Sequence, residues 1–362
     1  MLLPTDSGDY YRYQSTNLPY EVFLPSNNYT ASQEVVAGYG MFEFPLFSTF
    51  KVVGGVRVET TDMTVITNWP DTGIIDVTDV LPSVNVVLPV TENTNIRAAF
   101  GRTLARPTFR EMSPAAVEEF SVARVYQGNV DIDRTTINNY DLRWEWFLRP
   151  GEVLAVSGFY KDLTNPIELA LIGNNGQVQP QNVPSGIVYG LELEFRRRLD
   201  HVHRILSNFK IGGNLTLVHS EVDIAEDELN EVIPIGLERQ TTRPLYGQSP
   251  YIVNFDIGYD NYNSGPQISV FFNRFGRRLA VNNENGTPDV YEMPRNDLDL
   301  LVRQRLFGER GPSLKFAVKN ILNEDVKLQY EDPDPVTLSR DHFYERYSRG
   351  VTVSFGLSYN IW

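Results

Sequence analysis

The sequence predicts an all-β fold: an antiparallel transmembrane β-barrel with short turns at one end and long loops at the other. Three observations carry that prediction. The closing stretch VTVSFGLSYNIW, residues 351–362, alternates strictly, with Val351, Val353, Phe355, Leu357, Tyr359 and Ile361 on one face and small polar residues on the other. One unit repeats along the chain: an alternating run, a short turn, an alternating run, a long polar loop. In these runs one face is apolar and aromatic and the other is charged, as expected of strands that separate lipid from a wet lumen.

Taken in order, residues 1–28 are polar, Tyr-rich and interrupted by proline, and read as a loop. Run 33–42 pairs with 50–59 across a short link around Pro45, and residues 60–78 read as a loop. Runs 81–88 and 95–103 are joined by VTENT. A long loop covers 106–136, with one or two helical turns at 115–120. Runs 138–147 and 153–162 are joined by RPGE, and 188–199 and 209–221 by a link holding His201 and His203. Runs 251–259 and 267–275 are joined by NYNSG, and 297–306 and 314–322 by FGERGP. The last strand, 351–362, follows a loop over 323–349. That makes about thirteen strands, clustered near the 9–11 residues that cross a bilayer at a steep tilt. With an odd count the first and last strands point the same way, so they are not expected to form an antiparallel ladder with each other.

The faces follow from the alternation. Val56, Phe100, Tyr140, Leu142, Trp144, Trp146, Leu191, Phe255 and Val270 fall on the lipid-like face. Arg57, Glu59, Arg97, Asp141, Arg143, Glu145, Glu192, Glu194, Arg196, Asp256, Asp299 and Arg303 fall on the other and are expected to face the lumen. Both signs occur on neighbouring strands, so cross-strand pairing is expected.

Composition removes several classes of function. Net charge is −14 over 362 residues, which disfavours nucleic acid as a partner. Cysteine is absent, which excludes disulfides, thiolate nucleophiles and Cys-ligated metals. No apolar run is long enough for a transmembrane helix, which leaves a barrel open. The opening MLLPTDSGDYYRYQ lacks a basic segment followed by an apolar one and is not read as a signal peptide; the true N-terminus of an exported protein would then lie elsewhere. No G-x-S-x-G elbow occurs, and the chain is not read as an enzyme. His201 and His203 have no third ligand nearby in sequence, and His219 and His342 stand alone. The acidic stretches Glu221, Asp223, Glu226, Asp227, Glu228, Glu231 and Glu331, Asp332, Asp334 lack calcium-loop spacing and read as solvated loops. No cofactor or metal is therefore expected.

Arg102, Arg106, Lys161, Arg274, Arg277 and Lys319 lie near the loop ends of the runs. They are the candidate contacts for an anionic ligand, against the alternative that each pairs with a loop carboxylate.

Several stretches resemble the TonB-dependent receptors of bacterial outer membranes. LPSVNVVLPVTENTNIRAAFGRTLARPTFREMSP (81–114) and GNVDIDRTTINNYDLRWEWFLRPGEVLAVSGFYKDLTNPIE (128–168) resemble successive hairpins of that family. VYGLELEFRRRL, KFAVKNILNED and GLSYN resemble its later strands, and LARPTFREMSP with NVPSGIVYGLELEFR is most similar to the Bacteroidetes type. The resemblance implies that residues 29–362 are the C-terminal portion of a larger barrel, with 1–28 an extracellular loop segment. It implies short periplasmic turns and long extracellular loops. The family's N-terminal plug and coupling segment are not recognised in this sequence. The implied partners are the TonB–ExbB–ExbD system through those N-terminal parts, the barrel-insertion machinery through the last strand, membrane lipids and lipopolysaccharide. The family usually ends in Phe, where this sequence has Ile361 and Trp362. Energy-coupled uptake of a nutrient such as an iron chelate or glycan is the implied function. A passive or structural outer-membrane barrel and a soluble β-rich carbohydrate-binding protein are the competing readings.

Overall fold

The computed structural model describes residues 2–4, 11–13, 29–46, 50–67, 72–119, 124–172, 177–224, 241–261, 265–283, 288–307, 311–331 and 343–359. Thirteen strands follow one another round a single antiparallel wall: β1 (Tyr29–Leu46), β2 (Phe50–Thr67), β3 (Thr72–Thr91), β4 (Thr94–Ala105), β5 (Thr135–Arg149), β6 (Glu152–Thr164) and β7 (Ser185–Arg198), then β8 (Phe209–Asp223), β9 (Tyr251–Asp260), β10 (Pro266–Phe275), β11 (Arg295–Arg305), β12 (Ser313–Lys319) and β13 (Thr352–Ser358). Each pairs with its neighbours in sequence, and a short strand, Thr242–Arg243, adds to the end of β8. β1 and β13 stand at opposite ends of the sheet and are not paired with each other among the described residues, as the odd count predicts.

The connections are one-sided. β3–β4, β5–β6 and β9–β10 are joined at one end by 92–93, 150–151 and 261–265. The 150–151 turn needs Gly151, whose φ of 82° is costly for a residue with a Cβ. The long connections leave from the opposite end, the mouth. No helix among the described residues is long and apolar enough to cross a membrane.

Register keeps the two faces separate across the wall. Phe42, Gly54, Val84, Phe100, Tyr140, Tyr160 and Tyr189 lie opposite one another in sequence on one face. Phe255, Phe272 and Leu298 continue it on β9–β11, and Phe316 and Phe355 on β12 and β13. Tyr140, Leu142, Trp144 and Trp146 share this apolar face, while Asp141, Arg143 and Glu145 take the other.

Four expectations need correction. Residues 60–78 are mostly strand: β2 continues to Thr67 and β3 begins at Thr72. Density of Thr and Asp gives TTDMTVIT the look of a loop, yet β-branched Thr and Val suit an extended chain. Thr61, Met63 and Val65 are fully buried there, because the 106–134 connection folds back over them. The only described helix of that connection is α1 (Phe109–Met112), not 115–120, where Ala116–Glu119 is strand. A capping box fixes α1: Thr108 Oγ1 accepts from the Glu111 amide, and the Glu111 carboxylate accepts from the Thr108 amide at 2.6 Å. β12 stops at Lys319, because Asn320 and Asn323 take positive φ, which Asn tolerates. Within 1–28, Leu2–Pro4 pairs with Tyr11–Tyr13; the rest of that segment, Glu226 to Glu231, Asp332, Asp334, His342, Ile361 and Trp362 lie outside the described residues.

Candidate functional site: the polar face and the mouth sheet

Every residue expected on the charged side of the wall shares its polar face by register. One belt runs across β4 to β7. Arg97 Nε donates to Glu145 at 2.8 Å, Arg143 Nε donates to the same carboxylate at 2.9 Å, and Arg143 Nη2 reaches Glu194 at 2.7 Å. Arg196 lies 3.8 Å from Glu194. An amide ladder extends the row: Asn254 donates to Asn214 at 2.8 Å and Asn273 to Asn254 at 2.6 Å. Asp297 stands opposite Asn273 and is paired with Arg295 and Arg349.

Two hollows flank this belt. One of about 200 Å³ sits among Asp256, Phe271, Asp299 and the ladder amides. The other, about 280 Å³, is lined by Asp141, Arg143, Phe159, Lys161 and Glu192. Asp299 accepts the Asn320 amide at 2.9 Å. Arg303 stands opposite Gln267 and Lys315. Arg57 and Arg106 both pair with Glu59, and Arg106 Nε donates to Thr61 at 3.0 Å.

The six candidate cations separate. Lys161 is on the polar face, donating to Asn139 at 2.8 Å, and Lys319 is on that face opposite Thr352. Arg277 belongs to the mouth, stacked 3.8 Å over the Tyr291 ring and paired with Glu331 at 2.7 Å. Arg102 and Arg274 are corrections. Register places Arg102 two residues along from Phe100 and Arg274 two along from Phe272, on the apolar face. Counting distance from a loop end ignored the parity that decides the face.

The long connections build a second sheet that sequence reasoning missed. Its strands, in order, are Phe343–Tyr347, Val326–Tyr330, Val290–Glu292, Arg278–Asn283, Ile167–Ile172, Gln177–Asn182, Arg124–Gln127 and Ala116–Glu119. Two joints are parallel and join distant loops: Ala170 with Asn282, and Val178 with Tyr126. Tyr126, Val178, Val281 and Val290 form its buried core. A fully buried ion pair braces it: Arg243 Nη2 and Nε donate to Glu168 Oε2 at 3.0 and 3.1 Å, while the Tyr246 amide donates to Oε1. Burial pushes the Tyr291 phenol up to about 12, and the Asn296 amide holds the Glu324 carboxyl below the usual carboxylate range. Arg134 grips Asp79 with two forked nitrogens and fastens the 106–134 connection to the wall. Partners 55 and 75 residues apart leave no spacing signal in a single sequence.

Two histidines serve the turn end locally. His203 Nδ1 accepts from the Ile205 amide and caps a turn, and His201 sits 3.8 Å from Asp200. No group of three or more His, Asp or Glu suited to a metal occurs among the described residues.

A wall of thirteen sequential antiparallel strands, apolar on one face and polar on the other, is the architecture of a β-barrel wall. The TonB dependent receptor-like β-barrel family model matches residues 2–321, and the chain belongs to that family. The family is one of outer-membrane receptors and transporters. Solved structures share the fold. A ferric enterobactin receptor mutant of Pseudomonas aeruginosa bound to enterobactin is 15% identical, covering 90% of this chain and 54% of that one, with TM-score 0.55. The copper transporter OprC is 14% identical over 91% and 48%, with TM-score 0.61. The unliganded ferric citrate transporter FecA is 13% identical over 96% and 47%, with TM-score 0.64. The chain thus spans about half the length of these relatives. No curated protein matches.

Proposed function

We propose that the chain forms part of the wall of a receptor that takes up a scarce nutrient across the outer membrane, energised through TonB–ExbB–ExbD. Residues 29–362 are the C-terminal portion of its barrel, and 1–28 an extracellular loop segment. The observation that carries this reading is the mouth sheet. Separate loops pool their strands and a buried core into one fixed platform at the extracellular end. A passive pore needs only an opening there; a receptor needs surfaces held in place before the ligand arrives. The polar face from Arg57 to Arg303 lines the lumen. Arg277 in the mouth, with Lys161 and Lys319 further in, supplies contacts for an anionic chelate or glycan; Arg106 is committed to Glu59. The solved relatives named for ferric enterobactin, ferric citrate and copper support a scarce nutrient as the class of cargo. The insertion machinery reads β13, and the apolar face meets lipid.

The test uses the intact protein in its outer membrane, with labelled ferric chelates and glycans offered to the cells. Uptake should stop when TonB is removed and when the inner-membrane potential is collapsed. Uptake that continues under both conditions identifies the passive barrel instead.

A further inference from the structure

The two hollows of the polar face are built alike and charged differently. In each, register pairs an aspartate with a phenylalanine on the next strand: Asp141 with Phe159, and Asp256 with Phe271. On this face such a ring is set among charges, and Phe271 is 43% exposed. At Phe159 the charges are matched, since Lys161 and Arg143 stand with Asp141 and Glu192. In the hollow of about 200 Å³ at Phe271 they are not.

Two of its carboxylates have cations. Glu194 takes Arg143 and Arg196, and Asp297 takes Arg295 and Arg349. The other two do not. Asp299 accepts the Asn320 amide at 2.9 Å but has no cation among the described residues. Asp256 makes neither an ion pair nor a hydrogen bond among them. Lys210, nearer the turn end, lies 3.8 Å from Asp260, and Lys319 on β12 makes no ion pair among the described residues. Asp256 stands opposite Gly212, where a Cβ would come within 2.6 Å of Asp256 Oδ1. The carboxylate therefore lies toward β8, away from the Phe271 ring. Asp299 stands opposite Phe271 on the other side. Neighbouring strands lie about 4.8 Å apart, so the ring has a carboxylate one strand away on each side.

We propose that this hollow binds the cationic group of a small organic ligand: an ammonium or guanidinium rests on the Phe271 ring, held by Asp256 and Asp299. A ring face attracts a cation within about 6 Å of its centre. Ammonium and guanidinium N–H groups also donate to carboxylates, in shorter and stronger bonds than neutral pairs make. A bare metal ion suits the place less well, because it needs several oxygens together and the ring between the carboxylates offers none. An anion would meet two uncompensated carboxylates. The site rests on the polar face lining the lumen and not on the nutrient or on TonB, so binding and uptake can fail separately.

The experiment titrates agmatine, which carries a guanidinium and an ammonium, into the intact protein in detergent at low salt, followed by calorimetry. The parent should bind one molecule per chain. Butylurea, neutral and similar in shape, should bind at least about tenfold more weakly. Asp256→Asn should weaken agmatine about tenfold, and Phe271→Leu about fivefold. Phe159→Leu, in the charge-matched hollow, should change nothing. Equal binding of butylurea overturns the cation, and unchanged binding in either Asp256→Asn or Phe271→Leu overturns the hollow. No binding to the parent overturns a free ligand and means that another part of the protein fills the place. Should the variants fail to assemble, an alkylguanidine with a photoreactive group is applied to the parent. Labelling concentrated on 254–258 and 271–273 supports the site, and labelling spread evenly over the polar face refutes it.

Discussion

The wall and the mouth sheet are both antiparallel in the main, yet they are held together differently. In the wall, each strand pairs with its sequence neighbours, and no protein lies on the apolar face among the described residues: Leu142, Leu191 and Phe355 are more than half exposed. Lipid takes the place of a core there, so each strand needs only alternation and length. The mouth sheet stands in water and must bury its own apolar side chains. It does so by pooling loops whose strands are far apart in the chain, as with Ala170 and Asn282. The lesson is that the solvent on each side decides whether strand information is local or shared.

The sharpest way to break that contrast is at Glu168. Glu168→Ala leaves Arg243 buried without its carboxylate, and removing one partner of a buried pair costs about 3–5 kcal/mol. The loss should stay in the mouth sheet. Amide exchange should rise over 167–182 and 241–250 while β5 and β6 keep their protection. Replacing both partners with Leu and Met should recover most of it. Exchange rising equally in β5 and β6 would mean that the two regions unfold as one unit.

The matching change in the wall is Leu142→Arg. A charge on the lipid face near the midplane costs about 2–4 kcal/mol. Assembly into vesicles, read as resistance of the folded barrel to unfolding in detergent, should drop. Assembly as efficient as the parent's would move Leu142 off the lipid face.

The same contrast explains what a single sequence discloses. The alternation of TTINNYDLRWEWFLR is enough by itself to place Leu142 and Arg143 on opposite faces, and all thirteen strands follow from such runs. The limits appear where a strand leaves the bilayer. Thr61, Met63 and Val65 are buried beneath a connection that brings in Met112 and Ile132 from far along the chain, and nothing in TTDMTVIT announces them. Arg102 failed for a different reason: its face is set by register, which proximity to a loop cannot supply. The Glu168–Arg243 pair depends on two loops meeting, and neither loop alone shows it.

A third change tests the joint between the regions. Asp79 is buried on β3 and accepts from Arg134 Nε at 2.8 Å and Nη2 at 2.8 Å. Asp79→Asn removes the charge but not the volume, and hydrogen bonds to charged groups contribute about 1.5–3 kcal/mol. The 106–134 connection should become more sensitive to protease, with β5 to β8 unchanged. An unaltered cleavage rate would show that the Met63–Met112 packing holds the connection by itself.

The smallest effect is expected at the turn end of the wall, far from the mouth. Arg149 Nη2 donates to Asp200 at 2.7 Å and to the buried Glu152 at 2.7 Å, while the Arg198 amide also donates to Glu152. One guanidinium thus ties the 150–151 turn to the 199–208 turn. That hydrogen bond from Arg149 holds the Asp200 carboxyl below its ordinary value of 3.8. A depressed value means that the folded state favours the charged form. Its stabilisation is fully present above the ordinary value and is lost as pH falls through the lowered one. Asp200 is open to solvent, so salt should weaken the pair as well. Asp200→Asn should therefore lower the melting temperature slightly at neutral pH and low salt. The gap from the parent should close on acidification below 3.8 and in high salt. A gap that survives both would show that Asp200 acts through the shape of its hydrogen bonds and not through its charge. The turn end would then resemble the mouth, braced by geometry, and the division between a locally specified wall and a jointly specified mouth would need redrawing.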